Sequence, residues 1–195
     1  MENKEYKKLN ILSFDCANRS LGVCLLSIDP SLDIKDLNKS NTDIKLLKVV
    51  DLTKGVKYTI PRKAKLLKQC LTDINKEIKI VPDIVLVEFQ MKVNDKSRCV
   101  CYQIIYHYSD ICKRIHIVSP SLKNKVFFND NLRWSVFGEK YKTNYTANKN
   151  HSKSNFLHYL KSNGQMTSVK DIAKKNLDDI ADAFMQILGF LIFKY

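Results

Sequence analysis

Two apolar runs separated by a short polar turn constrain the fold of this chain most strongly. Residues 9–16 and 20–29 are almost continuously apolar, and the turn between them is centred on Asn18-Arg19-Ser20. Apolar runs of this kind are typical of strands that are covered on both faces of a sheet. The pattern therefore predicts a β-hairpin in the middle of a larger sheet.

Strand and helix patterns alternate after this hairpin. The expected elements are a strand at 44–52, a helix that follows Pro61, a strand at 84–89, a helix at 96–114 and a strand at 115–118. Such alternation is typical of an α/β sheet with parallel pairings. We expect a central mixed sheet of about five strands flanked by helices, with the first three strands antiparallel. At 195 residues, the chain is expected to form a single domain, 1–195.

The remaining segments are more polar. Residues 29–43 are expected to form an exposed loop. Residues 129–150, which are rich in Asn, Lys and aromatic side chains, are expected to form an exposed loop or arm over a substrate. Apolar spacing predicts a helix at 152–161 that ends near Asn163-Gly164 and a last helix at about 178–193.

Four acidic side chains stand in or beside these apolar elements. Asp15 lies in the first strand, Glu88 ends the fourth, and Asp179 and Asp182 open the last helix. A carboxylate in such surroundings is costly unless it binds something, and a divalent cation could hold several together. Ligand sets made of oxygen favour Mg²⁺ or Mn²⁺ over zinc. Six cysteines occur without a C-x-x-C pair, so a zinc knuckle is not indicated.

Each carboxylate also has a structural alternative. Asp15 can bond to a neighbouring turn, and Glu88 can form a salt bridge. Asp179 and Asp182 can offset the helix dipole. Asp178 is the best candidate for the helix cap, but it is also a neighbour of Asp182 at i, i+4, so the choice between Asp178 and Asp179 stays open.

The charge of the chain predicts an anionic partner. Lys and Arg number 33 against 20 Asp and Glu, a net charge of +13. Between Ser119 and Leu177 there are 11 Lys and Arg residues and 3 Asp and Glu residues. Aromatic residues are interleaved there, which favours nucleic acid over a merely solvated surface. They are Phe127, Phe128, Trp134, Phe137, Tyr141 and Tyr145.

Neither a membrane nor secretion is indicated by the sequence. No apolar run reaches the length of about 18–20 residues that a spanning helix needs. The first residues, Met-Glu-Asn-Lys-Glu-Tyr-Lys-Lys, lack an apolar signal region. We expect a soluble intracellular protein with no membrane partner.

Three motifs in order resemble those of the RuvC-like Holliday junction resolvases, in the ribonuclease H-like superfamily. They are the hairpin from Ile11 to Gly22 with Asp15 in its first strand, the pair Val87-Glu88, and Asp179-Ile-Ala-Asp182-Ala. This resemblance covers nearly the whole chain. Within the family, Ser119-Pro-Ser-Leu-Lys-Asn-Lys125 and Asn148-Lys-Asn-His-Ser152 are most similar to segments of the poxvirus resolvases.

The resemblance implies a ribonuclease H-like fold and a Mg²⁺-dependent homodimeric endonuclease with one active site per subunit. Such enzymes cut four-way junctions and other branched DNA, and in poxviruses they separate concatemeric genomes. A poxviral origin would imply the host cytoplasm, and possible packaging in the virion. The implied residues are a catalytic lysine, Lys123 or alternatively Lys125, and the catalytic metal ligands Asp15, Glu88, Asp179 and Asp182. Two Mg²⁺ ions per site would serve phosphodiester hydrolysis, and Mn²⁺ could substitute.

Five basic residues are candidates for contact with DNA: Arg19, Lys125, Lys149, His151 and Lys153. Alternatives are a turn cap for Arg19 and an exposed loop histidine without a role for His151. The apolar face of the 96–114 helix is a candidate dimer interface, with burial in the monomer core as the alternative.

Three other functions compete with junction resolution. One is a ribonuclease H-type nuclease acting on RNA–DNA hybrids, and another is a DNA-binding protein of this fold without catalysis. An actin-like nucleotide-binding domain is disfavoured, because the sequence offers no second Gly-rich phosphate loop.

Overall fold

The computed structural model describes residues 8–31, 33, 36–38, 41–53, 59–89, 95–128 and 144–194, with the backbone alone at 144–149, 175 and 194. The strands are β1 Leu9–Cys16, β2 Ser20–Ile28, β3 Thr42–Asp51, β4 Ile84–Glu88 and β5 Ile115–Val118. The helices are α1 Ile60–Ile78, α2 Asp95–Tyr108, α3 Asn144–Ser162 and α4 Leu177–Lys194. A one-turn 3-10 helix, Lys123–Lys125, follows β5.

The strands form one five-stranded sheet in the order β3-β2-β1-β4-β5. β1 pairs antiparallel with β2, and β2 pairs antiparallel with β3. The pairings of β1 with β4 and of β4 with β5 are parallel. The predicted mixed sheet, with its first three strands antiparallel, is therefore confirmed.

The sheet is covered on both faces. Successive side chains of a strand point to opposite faces, so β1 contributes to two separate cores. Ile11 packs with α3 and α4 on one face. Leu12 and Phe14 pack with α1 and α2 on the other. Ser13 shares the face of Ile11, and it accepts a 3.1 Å hydrogen bond from Gln186 Nε2 of α4. Asp15 therefore also points to the face that α4 covers.

α2 is shorter than predicted, because the chain turns at its end. The backbone N–H groups of Ile111 and Cys112 both donate to the Tyr108 carbonyl, at 3.0 and 2.8 Å, and the helix ends there. Val100, Ile104 and Tyr108 are buried against the sheet. The apolar face that suggested a dimer interface is thus covered by the protein's own core.

α3 is longer than predicted, and the loop expected at 129–150 is wrong over 144–150, where the helix has already begun. The rest of that predicted loop, 129–143, lies outside the described residues. Helix α3 buries His151, Ser152 and Asn155. His151 precedes the predicted start, and it is polar although buried, so it does not extend the apolar spacing by which a packed helix is recognised in a sequence. The predicted end is confirmed, since Gly164 follows the helix with φ of 62°.

Among the described residues, no helix is both long and apolar enough to cross a lipid bilayer.

Candidate active site

Two neighbouring parallel strands bring the first two acidic side chains together. Phe14 of β1 is the register partner of Val87 of β4, and Asp15 and Glu88 are the next residue in each strand. Ile84 and Leu86 of β4 pack on the α4 face, so Glu88 points to the same face as Asp15. The two residues are 7% and 6% exposed. They lie at the carboxyl ends of parallel strands, where ligands of α/β sheets usually bind.

A lysine ammonium lies between these carboxylates and a third from α4. Lys123 Nζ lies 2.6 Å from Asp182 Oδ2, 3.1 Å from Glu88 Oε1 and 3.5 Å from Asp15 Oδ1. Its side chain is only 11% exposed. Four elements that are distant in sequence, β1, β4, the 3-10 turn and α4, therefore meet at one charged group.

Burial and mutual contact perturb the acids of this cluster. Burial raises the pKa of Asp15 well above its ordinary value, Lys123 lowers it, and the neighbouring Glu88 raises it further. Burial also raises the pKa of Asp182, although Lys123 opposes this shift. Burial lowers the pKa of Lys123, but Asp15, Asp182 and Glu88 raise it more, so the ammonium stays protonated. Acid in excess of base, held out of water, favours binding of a further cation.

Two glycines allow the helix and the turn to approach the site closely. A Cβ atom on Gly22 would lie 2.2 Å from the Asp179 carbonyl oxygen. Gly22 is the register partner of Asp15, so the start of α4 lies directly against the strand pair that carries Asp15. A Cβ atom on Gly189 would lie 2.7 Å from the Leu122 carbonyl oxygen, beside the turn that carries Lys123.

The donor set fits a hard divalent cation, although its present geometry is organised around the ammonium. Within the described part of the chain, no three His, Cys, Asp or Glu side chains are arranged so as to hold a metal ion. Asp15, Glu88 and Asp182 nevertheless converge on one cation, and their carboxylate oxygens are the ligands that Mg²⁺ and Mn²⁺ prefer.

Solved structures share this architecture. A fowlpox virus resolvase in complex with its substrate Holliday junction DNA superposes with a TM-score of 0.59 at 16% identity, over 94% of this chain and 97% of that one. The chain has the fold of Holliday junction resolvases. The yeast mitochondrial Holliday junction resolvase gives 0.58 at 14% identity, over 97% and 80%. RuvC of T. thermophilus with a Holliday junction substrate gives 0.56 at 8%, over 95% and 97%. No protein-family model matches the sequence. No curated protein matches it either.

The structure distinguishes between Lys123 and Lys125, the two lysines that the sequence offers as alternatives for the catalytic lysine. Lys123 points into the carboxylate cluster. Lys125 is exposed, and its Nζ lies 5.2 Å from the centre of the Phe193 ring. The structure thus brings Lys123, and not Lys125, together with Asp15, Glu88 and Asp182.

The remaining DNA-contact candidates differ in exposure. Arg19 is exposed in the β1–β2 turn, where its carbonyl accepts a 2.8 Å hydrogen bond from the Leu52 N–H. Lys153 is half-buried on α3. The side chain of Lys149 lies outside the described residues. His151 was expected on an exposed loop, which is wrong because α3 buries it completely. We therefore propose no DNA contact for His151.

Sequence reasoning missed the contacts that hold the Lys123 turn. His151 Nε2 lies 3.3 Å from the Lys123 carbonyl oxygen, and Asn155 accepts a 3.1 Å hydrogen bond from the Phe128 N–H. His151 and Asn155 are four residues apart, a spacing that places both on one helix face. That spacing is the available signal in the sequence, but the helix predicted from apolar spacing begins at 152, one residue after His151.

Proposed function

We propose that this protein is a metal-dependent DNA endonuclease that resolves four-way junctions and related branched DNA by paired symmetric nicks. The supporting observation is the Lys123 ammonium within 2.6–3.5 Å of three buried carboxylates, at the strand ends of a resolvase fold. Two of the proteins that share the fold were solved with Holliday junction DNA. In a virus with concatemeric replication intermediates, the same cutting would separate unit-length genomes.

The proposed ligands of two Mg²⁺ ions, with Mn²⁺ as a substitute, are Asp15, Glu88, Asp179 and Asp182. Bound ions would activate the attacking water and neutralise charge on the phosphate. Asp179 is preferred over Asp178, because its backbone lies against Gly22, the partner of Asp15. The central strands β1 and β4 hold Asp15 and Glu88 in fixed directions, which limits reorganisation during the reaction.

The proposed catalytic role of Lys123 is to stabilise negative charge on the scissile phosphate. Its raised pKa keeps the ammonium charged at neutral pH. A buried cation acts more strongly on such charge than one in water, because the surrounding dielectric is lower. The 3′-hydroxyl and 5′-phosphate ends expected of this hydrolysis are the products to identify.

Resolution of a junction requires two symmetric nicks, so we propose a homodimer with one site per subunit. The basic residues Arg19, Lys125, Lys149 and Lys153 are proposed to contact the DNA backbone. Arg19 and Lys125 are both exposed, as such contacts require.

Cutting of a labelled synthetic four-way junction with Mg²⁺ tests the proposal. Asp15→Asn, Glu88→Gln and Asp182→Asn should each reduce the nicking rate by at least about 100-fold while junction binding remains, since the acids act on the reacting phosphate. Asp73→Asn is the matched control, because Asp73 is an exposed carboxylate on α1. Normal cutting by the three site variants would contradict the metal-site assignment.

The same assay distinguishes the competing functions. We expect the wild type to prefer the four-way junction over a linear duplex and over an RNA–DNA hybrid of equal length. Faster cutting of the hybrid would identify a ribonuclease H-type nuclease. Tight junction binding without cutting in Mg²⁺ or Mn²⁺ would identify a non-catalytic binding protein.

A further inference from the structure

We infer that His151 and Asn155 of α3 are positioning residues, which fix the backbone of Lys123 so that its ammonium reaches the reacting phosphate. The proposed chemistry of the carboxylates does not involve these two residues. His151 contacts the main chain of Lys123, and Asn155 contacts the main chain of Phe128. The inference rests on the proposed nuclease function, since that function gives Lys123 its catalytic role.

The hydrogen-bonding chemistry of His151 is defined by its partners. The Lys123 carbonyl oxygen, 3.3 Å from His151 Nε2, can only accept a hydrogen bond, so Nε2 carries the proton. Nδ1 lies 3.3 Å from Asn155 Nδ2, and the ring also makes a hydrogen bond with the backbone of Val126. The ring is fully buried, and burial lowers the pKa of His151, although its hydrogen bonds to the backbones of Lys123 and Val126 oppose that shift.

Asn155 extends the contact to the other end of the same segment. Its Nδ2 also donates to the His151 carbonyl at 3.0 Å, and its Oδ1 accepts the Phe128 N–H at 3.1 Å. The Phe127 ring meets the His151 ring edge-on, with 4.5 Å between the centroids. Helix α3 therefore holds the segment from Lys123 to Phe128 at both ends.

The lysine needs such support, because its own element provides little. Lys123 begins a 3-10 helix of three residues, and one short turn with i→i+3 bonds orders its residues weakly. A long lysine side chain magnifies any shift of its backbone at the ammonium. Displacement of a catalytic group by about 1 Å can reduce a rate by about 100-fold. The buried His151 and Asn155 are thus placed to determine where the ammonium acts.

Two substitutions of similar polarity separate positioning from simple core packing. In His151→Gln, the terminal amide nitrogen takes the place of Nε2 and can still donate to the Lys123 carbonyl. In His151→Asn, the shorter side chain leaves that carbonyl without its donor. We expect His151→Asn to lower the single-turnover cutting rate by about 10- to 100-fold with unchanged junction affinity, and His151→Gln to restore most of it. Phe156→Leu is the control for packing, because Phe156 is a buried α3 residue whose ring centroid lies 5.0 Å from that of Phe184 of α4.

A second measurement needs no cutting at all. The Lys123 amine can be labelled with acetic anhydride and quantified by mass spectrometry. In the wild type, ion pairing and an exposure of only 11% should protect it. We expect the same protection in His151→Gln and Phe156→Leu, and a several-fold faster labelling in His151→Asn. If His151→Asn does not fold, His151→Leu removes the donor while filling the volume, and the same results are expected.

The outcomes separate this inference from the proposed function. A wild type that cuts no branched DNA would refute the function, whereas the labelling of Lys123 would still report whether His151 holds it. A wild type that cuts, together with a His151→Asn variant that cuts and is labelled like the wild type, would overturn the positioning role. Equal losses in His151→Asn, His151→Gln and Phe156→Leu would overturn it as well, because a packing defect would then be sufficient.

Discussion

At the scale of single residues, the site gathers more acid than its one ammonium neutralises. Lys123 Nζ contacts carboxylates from β1, β4 and α4, and burial raises the pKa values of Asp15 and Asp182. Under the proposed function, a divalent ion bound there would relieve the repulsion between the carboxylates and stabilise the fold. A destabilising cluster of buried acids is expected where the residues serve binding and catalysis and do not serve folding.

The first prediction concerns how the thermal stability of the protein depends on pH when a metal chelator is present. A carboxyl group whose pKa is higher in the folded than in the unfolded protein stabilises the fold at low pH, and this stabilisation is lost as the pH rises through the folded-state pKa. Asp15 is such a group. We expect Asp15→Asn to have a higher melting temperature than the wild type at pH 8, with a difference that shrinks towards pH 4.

Thermal unfolding across that pH range provides the measurement. Asp73→Asn, on the exposed side of α1, controls for the loss of one surface charge. An Asp15→Asn variant less stable than the wild type at pH 8 in chelator would show that Asp15 stabilises the fold, contrary to its raised pKa.

The acids of the site could be predicted because a charged residue in an apolar strand or helix is conspicuous in a sequence. The sequence predicts Asp15, Glu88 and Asp182 on this ground, and the structure brings all three together. The choice of Lys123 over Lys125 depends on the family resemblance and on the structure, because two lysines in one short turn have similar sequence surroundings. The contacts of His151 could not be predicted, since they depend on which helix face meets the turn.

At the scale of secondary-structure elements, the close approach of α4 to the sheet determines the site. Gly22 and Gly189 are the positions where a side chain would prevent that approach. The strands were predicted well because their apolar runs are nearly continuous. The C-terminal end of α2 was not, because the chain makes a local turn at Tyr108. The start of α3 was not predicted either, because His151, just before the predicted start, is polar although it is buried.

The second prediction concerns Gly22→Ala. Its methyl group would lie 2.2 Å from the Asp179 carbonyl oxygen, so the start of α4 must move. Overpacking of this kind typically costs about 1–3 kcal/mol of stability, and the displaced Asp179 and Asp182 should reduce cutting more than DNA binding. Denaturant unfolding and single-turnover nicking measure the two effects.

Gly164→Ala is the contrasting variant for that experiment. Gly164 has φ of +62° with open space around its Cβ position. Alanine there is expected to lower stability by about 1 kcal/mol through backbone strain alone. Cutting by folded Gly164→Ala should equal that of the wild type. Full activity in Gly22→Ala would show that the approach of α4 is not needed for catalysis.

At the scale of the whole molecule, the positive charge is unevenly distributed along the chain. The segment from Ser119 to Leu177, with its 11 Lys and Arg residues, includes the Lys123 turn and all of α3. Both pack on the α4 face of the sheet, whereas α1 and α2 cover the opposite face. A DNA backbone is therefore expected to bind on the α3 and α4 side, where the carboxylates can reach it.

The third prediction follows from this asymmetry. Each lysine that contacts a phosphate of a duplex arm of the junction should contribute about 0.9 to the magnitude of one slope. That slope is the change in the logarithm of the DNA association constant with the logarithm of the salt concentration. Lys125→Gln and Lys153→Gln should each weaken junction binding and lower that slope by about this amount. Cutting at saturating protein should remain close to that of the wild type.

Lys76→Gln is the control for that titration, because Lys76 is an exposed lysine of α1 on the opposite side of the sheet. Its slope should match that of the wild type. Equal slope changes for Lys76, Lys125 and Lys153 would indicate diffuse attraction, and the assignment of DNA to the α3 and α4 side would then be wrong.

The most direct test of the proposed metal site is anomalous diffraction from crystals of the protein grown or soaked with Mn²⁺. We expect two ions roughly 3.5–4 Å apart, ligated by Asp15, Glu88, Asp179 and Asp182. The Lys123 ammonium should be displaced from the three carboxylates that it contacts at 2.6–3.5 Å in the structure. Asp182→Asn crystals should lose at least one ion. Wild-type crystals in millimolar Mn²⁺ that show Lys123 still paired with all three carboxylates, and no anomalous peak beside them, would contradict the metal-dependent mechanism.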